Sequence, residues 1–368
     1  MIEDKKEGRN QQLTNPHLKN DHILTVLICA ISIPLSMSMW ILNIIYSKFS
    51  QDGEGHDGII LNLPSQKINK KIIISEPVVI SPARWMVSCF IPLLMAVYGY
   101  RRKSVNFGGA CLGFGVGLVL TLSSYCFLAA LITFFITSSR ATKIGSNIKK
   151  KIEEEFKEGG QRNWIQVLCN GGMATQLGLL YLLDVGATER PIDFIKDYRA
   201  SWLSIGVLGS FACSNGDTWA SELGSVFAKT DPFLVTSWKR VPKGTNGGVS
   251  LLGTLFSAAG GLIIGISYYV AIIYFSDKAL WANAPPQWPV IVFGGFAGFL
   301  GSLIDSLMGA TLQYSGLDKD GKIVSHSSLT IKHISGRNIL DNHSVNLIST
   351  VIMGLLMPTL CKCLWPLF

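Results

Sequence analysis

Long apolar runs separated by short polar stretches extend over most of the chain. A helix needs about 20 apolar residues to cross the roughly 30 Å hydrocarbon core of a bilayer, and most of these runs reach or approach that length. The pattern predicts an all-α, multi-pass membrane helical bundle with about nine transmembrane helices, some of them short or broken. The predicted spans are 23–47, 83–100, two within 106–138, 164–183, 200–214, 249–275, 288–311 and 343–366.

The apolar run 106–138 is predicted to form a hairpin of two short helices. As one helix it would be about 50 Å long at 1.5 Å per residue, far longer than the hydrocarbon core. Basic loops at 101–103 and 140–162 flank it, and both should be cytosolic because cytoplasmic loops are rich in Lys and Arg. Two crossings with a turn near Ser123 and Ser124 satisfy both constraints. This topology places the N-terminus in the cytosol.

Composition and charge support an integral membrane protein. Charged residues make up 15% of the chain, against about 25% in soluble domains. The net charge of +8 comes from cations clustered in loops, so positive-inside topology explains it and no nucleic-acid partner is expected. We predict a disordered cytosolic tail at 1–22, a signal-anchor helix and polar loop at 23–82, and a membrane domain at 83–368. An internal membrane such as the endoplasmic reticulum is the expected location.

Pairs of glycines four residues apart recur inside the predicted spans, at 113 and 117, 261 and 265, and 294 and 298. They match the small-xxx-small pattern that lets membrane helices pack closely. The glycines at 113–117 follow no strand, so we interpret them as helix packing and not as a nucleotide-binding loop. The eight cysteines form no C-x-x-C motif and indicate buried small residues.

Two polar clusters in the first half of the membrane domain could bind phosphate or metal. Arg162 lies directly before a span, and arginine forks bind phosphate in two-pronged fashion. The lysines upstream of it fit a solvated amphipathic helix. Asp217, in the string CSNGDTWASELG, fits a carboxylate that holds Mg²⁺ against nucleotide phosphates. The alternative for Asp217 is an N-cap that starts a short helix, and Glu222 shares no clean helix face with it.

Two further clusters lie in the second half. Lys239, Arg240 and Lys243 precede a glycine-rich turn, predicted to enter a helix, whose amides could cradle phosphate. It is not a Walker A loop, because the lysine precedes the glycines, and an ordinary Asn-Gly turn is the alternative. Asp305 lies inside an apolar run, where an ionised group costs at least ~2.5–3.5 kcal/mol. Either a function or a hydrogen bond between helices would explain it. The turn consists of Gly244, Thr245, Asn246, Gly247 and Gly248.

All four clusters fall on the cytosolic side of the predicted topology, which favours one composite site. The fourth cluster also includes Asp341 and Asn342, near the start of the last span. The chain contains no Gly-x-Ser-x-Gly motif, and no histidine stands beside a plausible nucleophile. Phosphoryl transfer relies on positioning and charge neutralisation, and a site rich in Asp, Asn, Lys, Arg and Gly suits it.

Several strings carry a resemblance to a known family. FKEGGQRNW, CSNGDTWASELG, VPKGTNGGVS, PPQWP and ILDNHSVNL closely resemble the transmembrane protein 19 family, over roughly residues 80–368. Plant relatives of that family include phytyl-phosphate kinase, which adds a second phosphate to an isoprenoid monophosphate. The CTP-dependent dolichol and phytol kinases share the Gly-Asp-Thr-x-Ala stretch at 216–220. Their other two motifs resemble 243–247 and 340–343 more loosely, since Asn246 replaces a glutamate and one carboxylate is missing.

The resemblance and the clusters together predict a kinase for an isoprenoid alcohol or isoprenoid monophosphate in the membrane, with a nucleoside triphosphate, foremost CTP, as donor. Asp217, Asp341 and Asn342 would hold Mg²⁺, and Asp305 would position the metal or the acceptor. Two alternatives stay open. One is a transporter whose path includes Asp305, and the other is a non-catalytic membrane scaffold.

The cations and the glycine-rich turn would bind the two phosphate groups. Lys243 and the turn 244–248 would cradle the donor phosphates. Arg162, with Lys239 or Arg240, would bind the acceptor phosphate. The lipid tail would lie between helices in the bilayer, so that its head group reaches the site.

Overall fold

The computed structural model describes residues 80–144, 161–281, 284–328 and 330–368, with scattered positions between 31 and 45. The predictions for the tail, the signal anchor and the polar loop lie almost entirely outside these residues, as does most of the basic segment 140–162. Eight long helices follow one another in the described ranges. They are α1 (Pro82–Arg101), α2 (Phe107–Ser123), α3 (Tyr125–Lys143), α4 (Trp164–Asp184), α5 (Tyr198–Trp219), α6 (Leu251–Phe275), α7 (Pro289–Leu312) and α8 (Asn342–Leu364).

The predicted hairpin at 106–138 is present, and its turn lies where it was expected. Helix α2 ends at Ser123 and α3 begins at Tyr125, so that Ser124 alone separates them. The Ser124 hydroxyl accepts a hydrogen bond from the amide of Cys126 (3.2 Å) and caps α3. The other helix bounds agree with the predicted spans to within a few residues, except that α5 continues to Trp219 instead of ending at 214.

Five of the eight helices are long and apolar enough to cross a membrane: α1, α3, α6, α7 and α8, the last counted to Leu367. Helix α2 is apolar but has only 17 residues. Helices α4 and α5 carry more polar residues, which suits helices that face other helices and not lipid. The described residues thus form a multi-pass membrane protein, and the count of nine spans stays a prediction.

Helix α5 is the centre of the bundle. Its residues from Ala200 to Gly216 are buried without a break, and Trp202 and Phe211 are among the largest fully buried side chains. Small residues let its neighbours approach closely: a Cβ added at Gly209 would lie 3.0 Å from the carbonyl oxygen of Met353 on α8. Because its neighbours enclose α5 in this way, its polar groups are held in fixed positions.

Glycines on α6 and α7 bring these two helices into backbone contact, as predicted. A Cβ added at Gly261 would overlap the carbonyl oxygen of Gly294, and one added at Gly298 would lie 2.8 Å from the Cα of Gly261. The interpretation of 113–117 is only half right. Gly117 packs against Pro92, with an added Cβ 2.6 Å from the Cβ of Pro92, whereas a Cβ added at Gly113 meets nothing within 4 Å.

Replacing Gly261 by valine is expected to lower the unfolding temperature of the purified protein, because the new side chain would overlap the α7 backbone. Overpacking of this kind costs ~1–3 kcal/mol or more. Thermal denaturation in detergent measures the effect. Gly115→Val is the matched control, since a Cβ there meets nothing within 4 Å. Equal stability of the two variants would contradict close packing of α6 on α7.

The helices alternate in direction, so the bundle has two distinct ends. We call one the polar end; it contains the last turns of α1, α3, α5 and α7 and the first turns of α2, α4, α6 and α8. Lys143 Nζ donates to the Arg102 carbonyl there (3.0 Å). Two small sheets also lie at this end: the pair β1 (Phe233–Leu234) and β2 (Gly248–Val249), and β3 (Ser315–Leu317), β4 (Ile323–Val324) and β5 (Lys332–Ser335) in the order β4-β3-β5.

A buried ion pair holds the opposite end together. Arg84, in the first turn of α1, donates to both carboxylate oxygens of Glu189 (2.7 and 2.8 Å). It also donates to the carbonyls of Leu122 and Ser123 (3.3 Å each), while Glu189 accepts from the amide of Tyr125 (2.9 Å). The pair therefore satisfies backbone groups at the tip of the α2–α3 hairpin, where an unpaired group would be costly.

Candidate functional site

Asp217 lies inside α5, two residues before the helix ends at Trp219. The N-cap interpretation is therefore wrong, because the helix continues through this residue. The neighbouring Gly216 brings α5 against α7, since a Cβ added there would lie 2.6 Å from the Cα of Gly298. At this close approach the Ser302 hydroxyl of α7 donates to Asp217 Oδ1 (3.3 Å). The carboxylate is thus held at the contact between two membrane helices.

Asp305 follows Ser302 by three residues and lies on the same face of α7. Its carboxylate lies close enough to that of Asp217 for the two charges to interact. From α8, the Asn346 amide, oriented with its nitrogen toward the acceptors, donates to Asp305 Oδ2 (3.1 Å) and to the Asn342 carbonyl (3.1 Å). Three helices thus surround Asp217 and Asp305, which we call the carboxylate pair. The predicted interhelical hydrogen bond to Asp305 is present.

Glu222 is a third acidic residue of the site, one that the sequence reasoning set aside. It lies in a π-helical turn, Ala220–Gly224, which directly continues α5. Its charge acts on both Asp217 and Arg162, so it lies near both of them. Single π-turns often occur at functional sites. The sequence did not indicate that Glu222 lies near Asp217, because five residues along a regular α-helix would place the two side chains on different faces.

Arg162 lies where two helices begin at the polar end. Its amide donates to the Ser104 carbonyl (2.9 Å) and its carbonyl accepts from the amide of Asn106 (2.9 Å), which places it beside the first turn of α2. Its guanidinium donates to the Ser138 hydroxyl (3.1 Å) and lies 5.6 Å from the centre of the Phe134 ring. The ion pairs found among the described residues do not include Arg162.

Burial lowers the pKa of the Arg162 guanidinium, and the charge of Glu222 raises it in part. An arginine keeps its proton in proteins at ordinary pH. The site therefore contains a permanent cation in a partly desolvated position, with an acidic residue near it. Such a cation can bind an anion more strongly than a solvated one, because the low local dielectric strengthens the attraction.

The glycine-rich turn 244–248 connects loops at the polar end. The amides of Thr245, Asn246 and Gly248 donate to Pro242, to the Ser315 hydroxyl and to Thr245, respectively. Gly247 has φ +78° and packs on Ala310 at the end of α7. Most amides that could cradle phosphate thus already have partners within the protein, and the predicted phosphate binding remains untested.

The predicted entry of this turn into a helix is wrong. Strand β2 (Gly248–Val249) intervenes, and α6 begins at Leu251, capped by the Ser250 hydroxyl, which accepts from the amide of Gly253 (3.0 Å). One of the free amides at the start of α6 is therefore satisfied by its own cap. Strand β2 pairs with β1 and so closes the loop between the two strands.

The three cations of this region have different surroundings. Lys243 Nζ donates to the carbonyl of Ala228, just after the π-turn. Lys239 and Arg240 are exposed, and the Arg240 guanidinium lies 5.3 Å from the centre of the Phe233 ring. No hydrogen bond or ion pair found in the described residues joins these three side chains to Arg162 or the carboxylate pair. Their predicted phosphate contacts stay predictions.

Asp341 and Asn342 lie at the start of α8. Asp341 Oδ1 accepts from the amide of Ser344 (3.0 Å) and caps the helix. The Asn342 carbonyl contacts the carboxylate pair indirectly, through Asn346. In the described ranges, no group of three His, Cys, Asp or Glu residues is placed to hold a metal ion. Magnesium often uses only one or two carboxylates together with substrate phosphates, so its predicted binding here is untested.

These features define a multi-pass membrane protein with a polar site at one end of a helical bundle. The model of the family described as integral membrane protein DUF92 matches residues 90–354, and the chain belongs to this family. Protein PGR of Arabidopsis thaliana is 40% identical over 278 residues, which are 74% of this chain and 94% of that protein.

More distant relatives extend over similar regions. Uncharacterized membrane protein MJ0933 of Methanocaldococcus jannaschii is 27% identical over 279 residues, 74% of this chain and 92% of that protein. Protein VTE6, chloroplastic, of Arabidopsis thaliana is 29% identical over 203 residues, 55% of this chain and 53% of that protein. No solved structure matches the chain significantly.

Proposed function

We propose that this protein is a membrane phosphotransferase that moves a phosphoryl group from a nucleoside triphosphate, foremost CTP, to an isoprenoid alcohol or isoprenoid monophosphate. The observation that carries the proposal is the carboxylate pair on two membrane helices, at the same end of the bundle as the buried cation Arg162. The motif resemblance to prenol and prenyl-phosphate kinases, described from the sequence, supports the same reaction. Phosphoryl transfer needs positioned charges of both signs and no nucleophilic side chain.

Each group at the polar end has a role in this proposal. Asp217, with Asp341 and Asn342 at the start of α8, would hold Mg²⁺, and Asp305 would position the ion or the acceptor. The ion, when bound, would neutralise charge on the transferred phosphoryl group. Ser302 and Asn346 orient the carboxylates by donating to them, which fixes their positions before substrate binds.

The cations would hold the two phosphate-bearing substrates. Arg162 would bind the acceptor phosphate, since its fork offers several donors in one plane. Lys239 or Arg240 would bind the acceptor phosphate with Arg162, and Lys243 and the turn 244–248 would contact the donor. These loops lie at the polar end, as the carboxylate pair does.

The test is phosphoryl transfer by the purified full-length protein in proteoliposomes. Each of the four γ-labelled ribonucleoside triphosphates is incubated with geranylgeraniol or geranylgeranyl monophosphate, and labelled lipid product is separated by chromatography. We expect transfer with at least one donor, its loss on addition of EDTA and its recovery with excess Mg²⁺. Protein that is folded and monodisperse but transfers no label in any combination would overturn the proposal.

A transporter is the second candidate, because the carboxylate pair lies on membrane helices. Ionisable groups in that position often line ion or proton paths. The same proteoliposomes, loaded with a pH-sensitive dye, measure proton flux in the absence of nucleotide. Flux that Asp305→Asn abolishes, in a preparation without label transfer, would favour the transporter over the kinase.

A further inference from the structure

An apolar cavity opens between the first four helices of the bundle. About 650 Å³ of space not filled by atoms lies within it and at its open mouth. Its wall is formed by α1, α2, α3 and α4, together with Phe211 of α5. Polar side chains in the wall are few, and all three belong to the start of α4 or the residues just before it. They are Arg162, Gln166 and Asn170.

Gly113 is the position where α2 leaves this space open. The residue lines the cavity, and a Cβ added there would meet nothing within 4 Å. Four residues later, Gly117 closes the inner part of the cavity against Pro92. The lining residues of α2 run from Gly109 to Gly117, which is about 12 Å along the helix. The cavity is therefore deep, and α1 and α2 close on each other at Gly117.

The only charged side chain of the cavity wall, among the described residues, is Arg162. Two helix N-termini flank it: Asn106 caps α2 by accepting from Gly109 (2.8 Å), and Asn163 caps α4 by accepting from Gln166 (2.9 Å). Both helices run away from this point, so the positive ends of both dipoles face the same region as the guanidinium. An arginine fork and two positive helix ends together suit a doubly charged phosphate monoester.

We propose that this cavity binds the hydrocarbon chain of a single-chain lipid whose phosphate monoester lies at Arg162. The apolar wall excludes a polar ligand, because buried polar groups without partners are costly. The closure at Gly117 favours one chain over the two chains of a phospholipid. The role of the bound lipid as phosphate acceptor rests on the proposed function. The binding site itself does not depend on that function. Arg162 lies at the polar end of the bundle, as the carboxylate pair does.

The test measures equilibrium binding of tritiated geranylgeranyl monophosphate to the full-length protein in nanodiscs, without nucleotide. Gly113→Leu fills the cavity and is expected to weaken binding about tenfold or more, since the chain loses its contacts; Gly113→Ala should have a smaller effect. Gly115→Leu is the matched control on the same helix. It also replaces a glycine with open space around it, but Gly115 does not line the cavity, so binding should stay within about twofold of wild type.

The headgroup part of the proposal is tested with Arg162→Gln. The wild-type protein should bind the monophosphate about tenfold or more tightly than geranylgeraniol, because charge-assisted hydrogen bonds are strong, and the variant should lose most of this preference. Equal binding by wild type and Gly113→Leu would overturn the cavity proposal, as would equal competition by dioleoyl phosphatidic acid. Cavity-dependent binding without phosphoryl transfer would overturn only the proposed function. Transfer that Gly113→Leu leaves unchanged would overturn only the cavity.

Discussion

Replacing either member of the carboxylate pair by asparagine is expected to reduce phosphoryl transfer ~10²-fold or more while leaving the fold intact. Asparagine keeps the shape of Asp217 and can still accept from Ser302, but it removes the charge that would hold Mg²⁺. Losses of this size are typical when one group that stabilises developing charge is removed. Initial rates of label transfer in proteoliposomes measure the effect for Asp217→Asn and Asp305→Asn.

Asp277→Asn provides the control for these variants. Asp277 is an exposed carboxylate at the opposite end of the bundle, where its side chain accepts from the amide of Ala279 (2.9 Å). The rate should be unchanged in this variant, and thermal unfolding should show that all three proteins are folded. Wild-type rates in both Asp217→Asn and Asp305→Asn would remove the carboxylate pair from the reaction.

Breaking the buried ion pair is expected to have the largest effect on stability. Arg84→Met leaves the Glu189 carboxylate buried without its partner and also frees the carbonyls of Leu122 and Ser123 at the hairpin tip. Removing one member of a buried pair costs ~3–5 kcal/mol. Unfolding in mixed micelles with increasing denaturing detergent measures the change in free energy.

The double variant Arg84→Met/Glu189→Met shows whether the stability is lost because Glu189 is left unpaired or because α1 is generally disturbed. Replacing both charges by apolar side chains of similar size is often neutral, so we expect much of the lost stability to return. Arg190→Gln is the control, because the Arg190–Asp197 pair is far more exposed (41% and 29%) than the Arg84–Glu189 pair, and exposed pairs contribute less than about 1 kcal/mol. A double variant less stable than Arg84→Met would contradict a pairwise role.

Local patterns predicted the helices well. The length of the 106–138 run and its basic flanks placed the hairpin turn at Ser124, because these constraints act within one segment. The convergence of the four polar clusters on one side also corresponds to the observed polar end. Successive membrane helices alternate in direction, so the side of the bundle on which each loop lies can be predicted without knowing how the helices pack.

Interactions between distant segments could not be predicted in this way. Arg84 and Glu189 are 105 positions apart, and neither stands in a motif. Glu222 joins the site through a π-turn, whose hydrogen bonding depends on how α5 packs against α6. Gly113 and Gly117 look alike in sequence, yet one faces a cavity and the other faces Pro92. Each of these differences is decided by the neighbour across the contact, not by the local pattern.

The shortness of α2 has a consequence for the surrounding lipid. Seventeen residues span about 26 Å, several ångströms less than an average hydrocarbon core. Hydrophobic mismatch of this kind costs a fraction of a kcal/mol per ångström and sorts proteins among membranes of different thickness. Because α2 forms part of the cavity wall, the acyl-chain length of the host bilayer is expected to affect the cavity.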